Sequence, residues 1–208
     1  MRHSSIGSPL PPKHLFVGAK CVNSIPLATS LHLDIMIQAS LDPAVSRLEY
    51  VPATDVAGTS VWLDAVVITR DGKRIAVELP ELGSLRDVDS EGLLLMALRN
   101  IDAECQQFIA NEIRQDPTFT NARAVWHYQG LPVSRADREA ILAEVDNGSI
   151  TLDRLADRVT LDADLLPAVC ALACDGVLSI DLSRGPLTTS VIRNIAADKP
   201  FDVPGPGG

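Results

Sequence analysis

Residues 29–43 read TSLHLDIMIQASLDP, with apolar positions spread around most of a helical circumference. That pattern predicts a largely buried helix, capped by Thr29 or Ser30 and ended at Asp42-Pro43. The next run, VSRLEYVP from Val45 to Pro52, contains an alternating segment that predicts an edge strand. In VWLDAVVITRDGKRIAVEL two β-rich runs flank Asp71-Gly72, which is strong hairpin punctuation. Loop length then decides a chemical point. A two-residue Asp-Gly loop pairs Arg70 with Lys73 and leaves Asp64 on the opposite sheet face from Glu78. A three-residue loop, Arg70-Asp71-Gly72, pairs Thr69 with Lys73 and sets Asp64 across from Glu78, their β-carbons about 5 Å apart. We expect the three-residue loop, because facing carboxylates can share a cation or a proton.

Further along, DSEGLLLMALRNIDAE predicts a helix capped by Asp89 or Ser90, and CQQFIA predicts a strand. NEIRQDPTFTNARAVWHYQG should hold a short helix, a break at Asp116-Pro117 and a second helix, followed by a linker in YQGLPVS. From Ser134 the pattern changes to three helices, SRADREAILAEVDNG, SITLDRLADRV and LDADLLPAVCALACDG, then a two-stranded wing in VLSIDLSRGPLTTSVI. Helix, helix, helix, hairpin is a winged-helix pattern. The expected fold class is therefore α/β: a mixed sheet with flanking helices over residues 14–130 and a small winged-helix unit over 131–195. Residues 1–13 and 196–208 are rich in Pro, Gly and Ser and are expected to be disordered tails.

Composition narrows the choice of function. The chain has 208 residues, 46% hydrophobic and 22% charged, enough to bury one large core or two small ones. Its apolar runs fall short of the roughly 18 residues of a membrane span, and the N-terminus lacks the apolar stretch of a signal peptide, so a cytoplasmic protein without membrane attachment is expected. The four cysteines make no CxxC pair and have no histidine at zinc-ligand spacing. Cys170 and Cys174, one helical turn apart, read as small buried hydrophobes.

A net charge of −9 weighs against a chain that clamps nucleic acid by itself. From Leu131 to Gly208 there are 7 Lys and Arg against 12 Asp and Glu, a net of −5. The third helix of a DNA-reading winged helix carries basic or amide side chains to base edges. This segment has Asp162, Asp164 and Asp175 and no basic residue, so it reads as a packing or partner-docking unit.

The order of SLHLDIMIQASLDPAV, a hairpin with Asp64 and Glu78, NEIRQDPTFTNARAVWHY, and an acidic three-helix unit ending DGVLSIDL resembles the TnsA-like transposon endonucleases. The resemblance spans roughly residues 15–185 and is most specific in SLHLD…LDPAV, in the spacing of 14 from Asp64 to Glu78, and in NAR. It implies a restriction-endonuclease-like domain followed by a winged-helix domain. In that family a helix Glu, an Asp on the first hairpin strand, and a Glu or Gln followed two residues later by Lys on the second strand build a Mg²⁺ site for phosphodiester cleavage. Carried over, the metal ligands are Asp64, Glu78 and the backbone carbonyl of Leu79. Two positions depart from the pattern: His32 stands at the helix Glu and Pro80 at the Lys. Histidine is a poor Mg²⁺ ligand and proline supplies neither charge nor proton. Asp34 points about 200° away from His32 around the helix, while Glu81 on the strand's continuation and Arg99 on the following helix are the groups that could compensate.

The resemblance thus implies a catalytically impaired endonuclease-fold protein, a structural or regulatory partner in a mobile-element or DNA-processing complex. Its partner would be a transposase or an AAA-type ATPase subunit, with DNA contacted through the N-terminal domain. Two alternatives stay open: an active Mg²⁺-dependent endonuclease cutting at transposon ends, and an unrelated winged-helix protein-interaction module.

Overall fold

The computed structural model describes residues 14–79 and 88–196, with side chains from residue 91 onward in the second stretch. The expected tail over residues 1–13, all but Ala196 of the expected tail over 196–208, and the positions Pro80 and Glu81 lie outside the described residues. Strands β1 (His14–Phe16) and β2 (Ile25–Leu27) form an antiparallel ribbon that the residue pattern does not announce. Helix α1 (Ser30–Leu41) follows. The Thr29 hydroxyl accepts from the His32 N–H at 3.1 Å, which satisfies one of the orphan donors of the first turn. Nine of its twelve residues are buried, His32 and Asp34 among them.

The central sheet has the order β3-β4-β5-β6. Strands β3 (Val45–Val56), β4 (Thr59–Arg70) and β5 (Lys73–Glu78) run as an antiparallel meander. Helix α2 (Val88–Asn100) then carries the chain across so that β6 (Ala103–Gln107) lies parallel to β5. The protein is a mixed α/β fold with this four-stranded mixed sheet flanked by helices.

The β4–β5 turn corrects the expected register. Arg70 pairs with Lys73 and Thr69 with Arg74, so the loop is the two-residue Asp71-Gly72 turn, not the three-residue one. Both turn residues have positive φ, 49° and 78°, as a type I′ turn requires; this turn matches the right-handed twist of the strands, and Asp-Gly is a favoured sequence for it. Ala57-Gly58 repeats the same geometry between β3 and β4.

A second irregularity matters more for the site. Val51 pairs with Ala65 but Ala53 pairs with Trp62, so Leu63 and Asp64 together oppose Pro52. Proline has no N–H for the ladder, and the extra residue in β4 absorbs the mismatch as a β-bulge. Asp64 takes the strained position with φ 46°, a region that short polar side chains tolerate better than most.

The remaining elements are α3 (Ala110–Ile113), α4 (Thr118–Trp126), α5 (Arg135–Val145), β7 (Ile150–Thr151), α6 (Leu152–Ala156), α7 (Leu165–Cys174), β8 (Leu178–Ile180) and β9 (Val191–Asn194). Ser134 caps α5 by accepting from the Asp137 N–H at 3.0 Å. The ribbon expected as two strands has three, in the order β7-β9-β8. Helix α7 is also shorter than its segment suggests: Asp164 and Asp175 are its cap residues and Asp162 lies before it, so the helix proper has no charged residue.

Apolar burial ties these pieces together. One core joins α1 and one face of the sheet (Leu48, Val66, Ile68) to α4 through Ala122 and Val125, and to α7 through Cys170, Ala173 and Cys174. A second lies among α5, α6, α7 and the three-stranded sheet. A third sits under α2 on the other face of the central sheet, around Ala65, Val67, Ala76 and Ala97.

Candidate functional site

The bulge and the period-two alternation of strands decide which acids can meet. Leu63 and Ala65 pack under α2, so Asp64 between them projects toward the α1 side. There its Oδ1 accepts from the Tyr50 hydroxyl at 2.7 Å, and Tyr50 packs against the core that α1 covers. Tyr50 is itself fixed at the sheet edge, where the Asn23 side chain donates to its carbonyl and accepts from its N–H, both at 2.8 Å.

Glu78 is elsewhere. Val77 packs into the α1-side core and Ala76 under α2, so Glu78 shares the α2 face with Ala76. Its Oε2 accepts from the Cys105 thiol at 3.5 Å, on the neighbouring strand β6. The structure therefore brings Asp64 together with His32 and Tyr50, and does not bring it together with Glu78. Along β5 and the residue after it, the side chains on Asp64's side of the sheet include Val77 and Leu79, both packed in the apolar core.

His32 is 7% exposed, and its Nδ1 sits 3.5 Å from the Ala28 N–H while Nε2 has no hydrogen-bond partner. Burial pushes the imidazole below its ordinary pKa, and the Asp64 carboxylate opposes part of that shift. The Tyr50 phenol is pushed up to about 12, first by burial and then by its hydrogen bond and proximity to Asp64, since a phenolate facing a carboxylate is disfavoured. The Tyr50–Asp64 hydrogen bond, with His32 as an electrostatic neighbour, ties the sheet to the start of α1. A Mg²⁺ ion requires several oxygen ligands, and Asp64 is the one carboxylate on this face among them. Among the described residues no three or more His, Cys, Asp or Glu are grouped so as to hold a metal ion.

Asp34, which the residue pattern sets apart from His32, has its own function. Its carboxylate accepts from Arg114 Nε at 2.8 Å, and Arg123 Nε lies 3.6 Å from the other oxygen, within ion-pair reach but too far for a hydrogen bond. Arg114 also donates to Ser30 Oγ at 3.0 Å. This three-charge cluster clamps α1 to α3 and α4. Both arginines come from NEIRQDPTFTNAR, so the stretch on which the resemblance partly rests has a structural use in this chain. Tyr50, Arg114 and Arg123 are the residues that reading the sequence did not single out; for Tyr50 the available signal was Pro52, which forces the bulge. Arg99 is exposed on α2 and makes no ion pair among the described residues.

Comparison with protein-family profiles finds no matching family, and comparison with curated proteins finds no significant match.

Proposed function

We propose that this chain is a TnsA-like protein of restriction-endonuclease fold that has lost cleavage and serves as a structural or regulatory subunit of a mobile-element or DNA-processing complex. The observation that carries the reading is the face shared by His32 and Asp64. The element order α1, β3, β4, β5, α2, β6 fits the nuclease architecture, yet on that face β5 and the residue after it present Val77 and Leu79. Where the nuclease pattern would set an acid and a lysine beside Asp64, this face offers two hydrophobes.

The C-terminal half supports a docking role over base reading. The order α5, β7, α6, α7, β8, β9 fits a winged helix, in which α7 occupies the place of the recognition helix. Residues 168–174 of α7 are all buried and uncharged, so this helix has no face left for a groove. The partner in this reading is a transposase or AAA-type ATPase of the same complex, with DNA contacted, if at all, through the N-terminal half.

The test has two arms. Supercoiled plasmid incubated with the protein and Mg²⁺ or Mn²⁺ should stay uncut, and calorimetric titration with either ion should show no site. Cleavage that disappears in Asp64→Ala would overturn the loss of activity. Co-expression with a transposase or ATPase encoded beside the gene should give a co-eluting complex, and free chains in every pairing would remove the proposed role.

A further inference from the structure

Between the end of the central sheet and the β8–β9 ribbon lies a cavity of about 620 Å³, within the usual range of small-molecule sites. Its floor is apolar, formed by Ile35, Ala39, Leu41, Ile68, Phe108 and Ile180. The rim is charged, with Arg70, Arg184 and Arg193 set against Asp42 and Asp181. That leaves a local excess of one positive charge in a chain whose net charge is −9.

The carboxylates are already occupied. Asp42 Oδ2 pairs with Arg70 at 3.2 Å while its Oδ1 accepts from the Ala44 N–H at 2.9 Å. Asp181 Oδ1 accepts from both the N–H and the hydroxyl of Ser183, at 3.0 and 2.6 Å, and Oδ2 faces Arg184 at 3.7 Å. The Arg193 guanidinium lines the cavity and has the Asp181 carboxylate as an electrostatic neighbour, but makes no ion pair or side-chain hydrogen bond at bonding distance among the described residues. A guanidinium beside an apolar hollow is a receptor for a planar anion that carries a hydrophobic body.

We infer that this cavity binds an amphipathic monoanion, a carboxylate with an aliphatic or aromatic tail, whose head group pairs with Arg193 and whose tail lies on the floor between α1 and the ribbon. A fully polar anion would leave the floor uncovered, and a cation would meet the three arginines. Because its walls come from both halves of the chain, bound ligand would hold them together. This inference is independent of the proposed loss of nuclease activity.

Decanoate is the probe, titrated below its micelle concentration by calorimetry against the native chain, Arg193→Glu and Ala39→Phe, with decyltrimethylammonium as the charge control. The native chain should take up one decanoate with a dissociation constant on the order of 10–100 µM. Arg193→Glu, at an exposed position, should weaken it at least about tenfold while circular dichroism shows the native fold retained. Ala39→Phe should abolish uptake by filling the floor, and the cationic amphiphile should not bind. Absence of decanoate binding at about 1 mM, equal binding of the cation, or full affinity in Arg193→Glu would overturn the inference. So would a native dimer that Arg193→Glu disperses, which would assign the cleft to a second copy of the chain.

Discussion

The Asp34 cluster makes an asymmetric prediction about stability. Asp34 has a side chain 1% exposed, whereas its partners Arg114 and Arg123 are 40% and 50% exposed. Asp34→Asn removes the charge but leaves two arginines that can turn to water, so the loss is that of one charge-assisted hydrogen bond, about 2 kcal/mol. Arg114→Met strands a carboxylate in the interior with only the 3.6 Å contact to Arg123, and breaking a buried pair in that way costs about 3–5 kcal/mol. For a chain of this size the corresponding falls in melting temperature are roughly 4–8 °C and roughly 6–20 °C. In the double variant the stranded charge is gone, so the two losses should fall short of additivity by more than about 1 kcal/mol. Urea unfolding followed by circular dichroism measures all three. If Asp34→Asn proves as costly as Arg114→Met, the cost does not come from an uncompensated buried charge and the reasoning fails.

The bulge predicts that Asp64→Asn is tolerated, because Asn accepts positive φ, while Asp64→Val loses about 1–3 kcal/mol to backbone strain; equal melting temperatures for the two would contradict the bulge. Spectrophotometric titration should show the Tyr50 phenol ionising near 12, and Asp64→Asn should lower that midpoint. Since the folded value lies above the unfolded value of about 10, the associated stability is intact below pH ~10 and fades as pH rises toward 12. His32 works in the opposite sense: its lowered pKa means the unfolded chain binds the extra proton first, so stability falls as pH drops below about 6.5, and His32→Gln should flatten that slope. A thiol reagent should modify exposed Cys105 quickly in the native protein and spare Cys170 and Cys174, whose burial pushes both up to about 12. Rapid modification of all four thiols before unfolding would contradict the buried α7.

The features legible in the sequence were those set by neighbours along the chain. Thr29 and Ser134 cap their helices as their types suggest, and Asp42-Pro43 ends α1, because a cap is decided within four residues. The β4–β5 turn was also local, and Asp71-Gly72 speaks for the type I′ geometry that forms. Expecting a longer loop let a shared purpose for two acids outweigh the backbone. The bulge was hidden because Pro52 matters only once β3 is paired with β4. The Asp34 to Arg114 contact joins residues 80 positions apart, beyond any periodicity. At the candidate site, Asp64 and His32 were singled out as positions of the family pattern, while their meeting and the separation of Glu78 depended on a register that spacing alone left open.

Helix α7 has a consequence for how this chain can change. Ala168, Val169 and Leu172 belong to the core of the C-terminal unit, while Cys170, Ala173 and Cys174, the alternate positions of the same ten residues, belong to the core around α1. Any substitution there must satisfy neighbours on one side without intruding on the other, which favours residues as small as alanine and cysteine. The two halves are thus expected to unfold together, and a graft that replaced the C-terminal half would have to bring a helix with the same two faces.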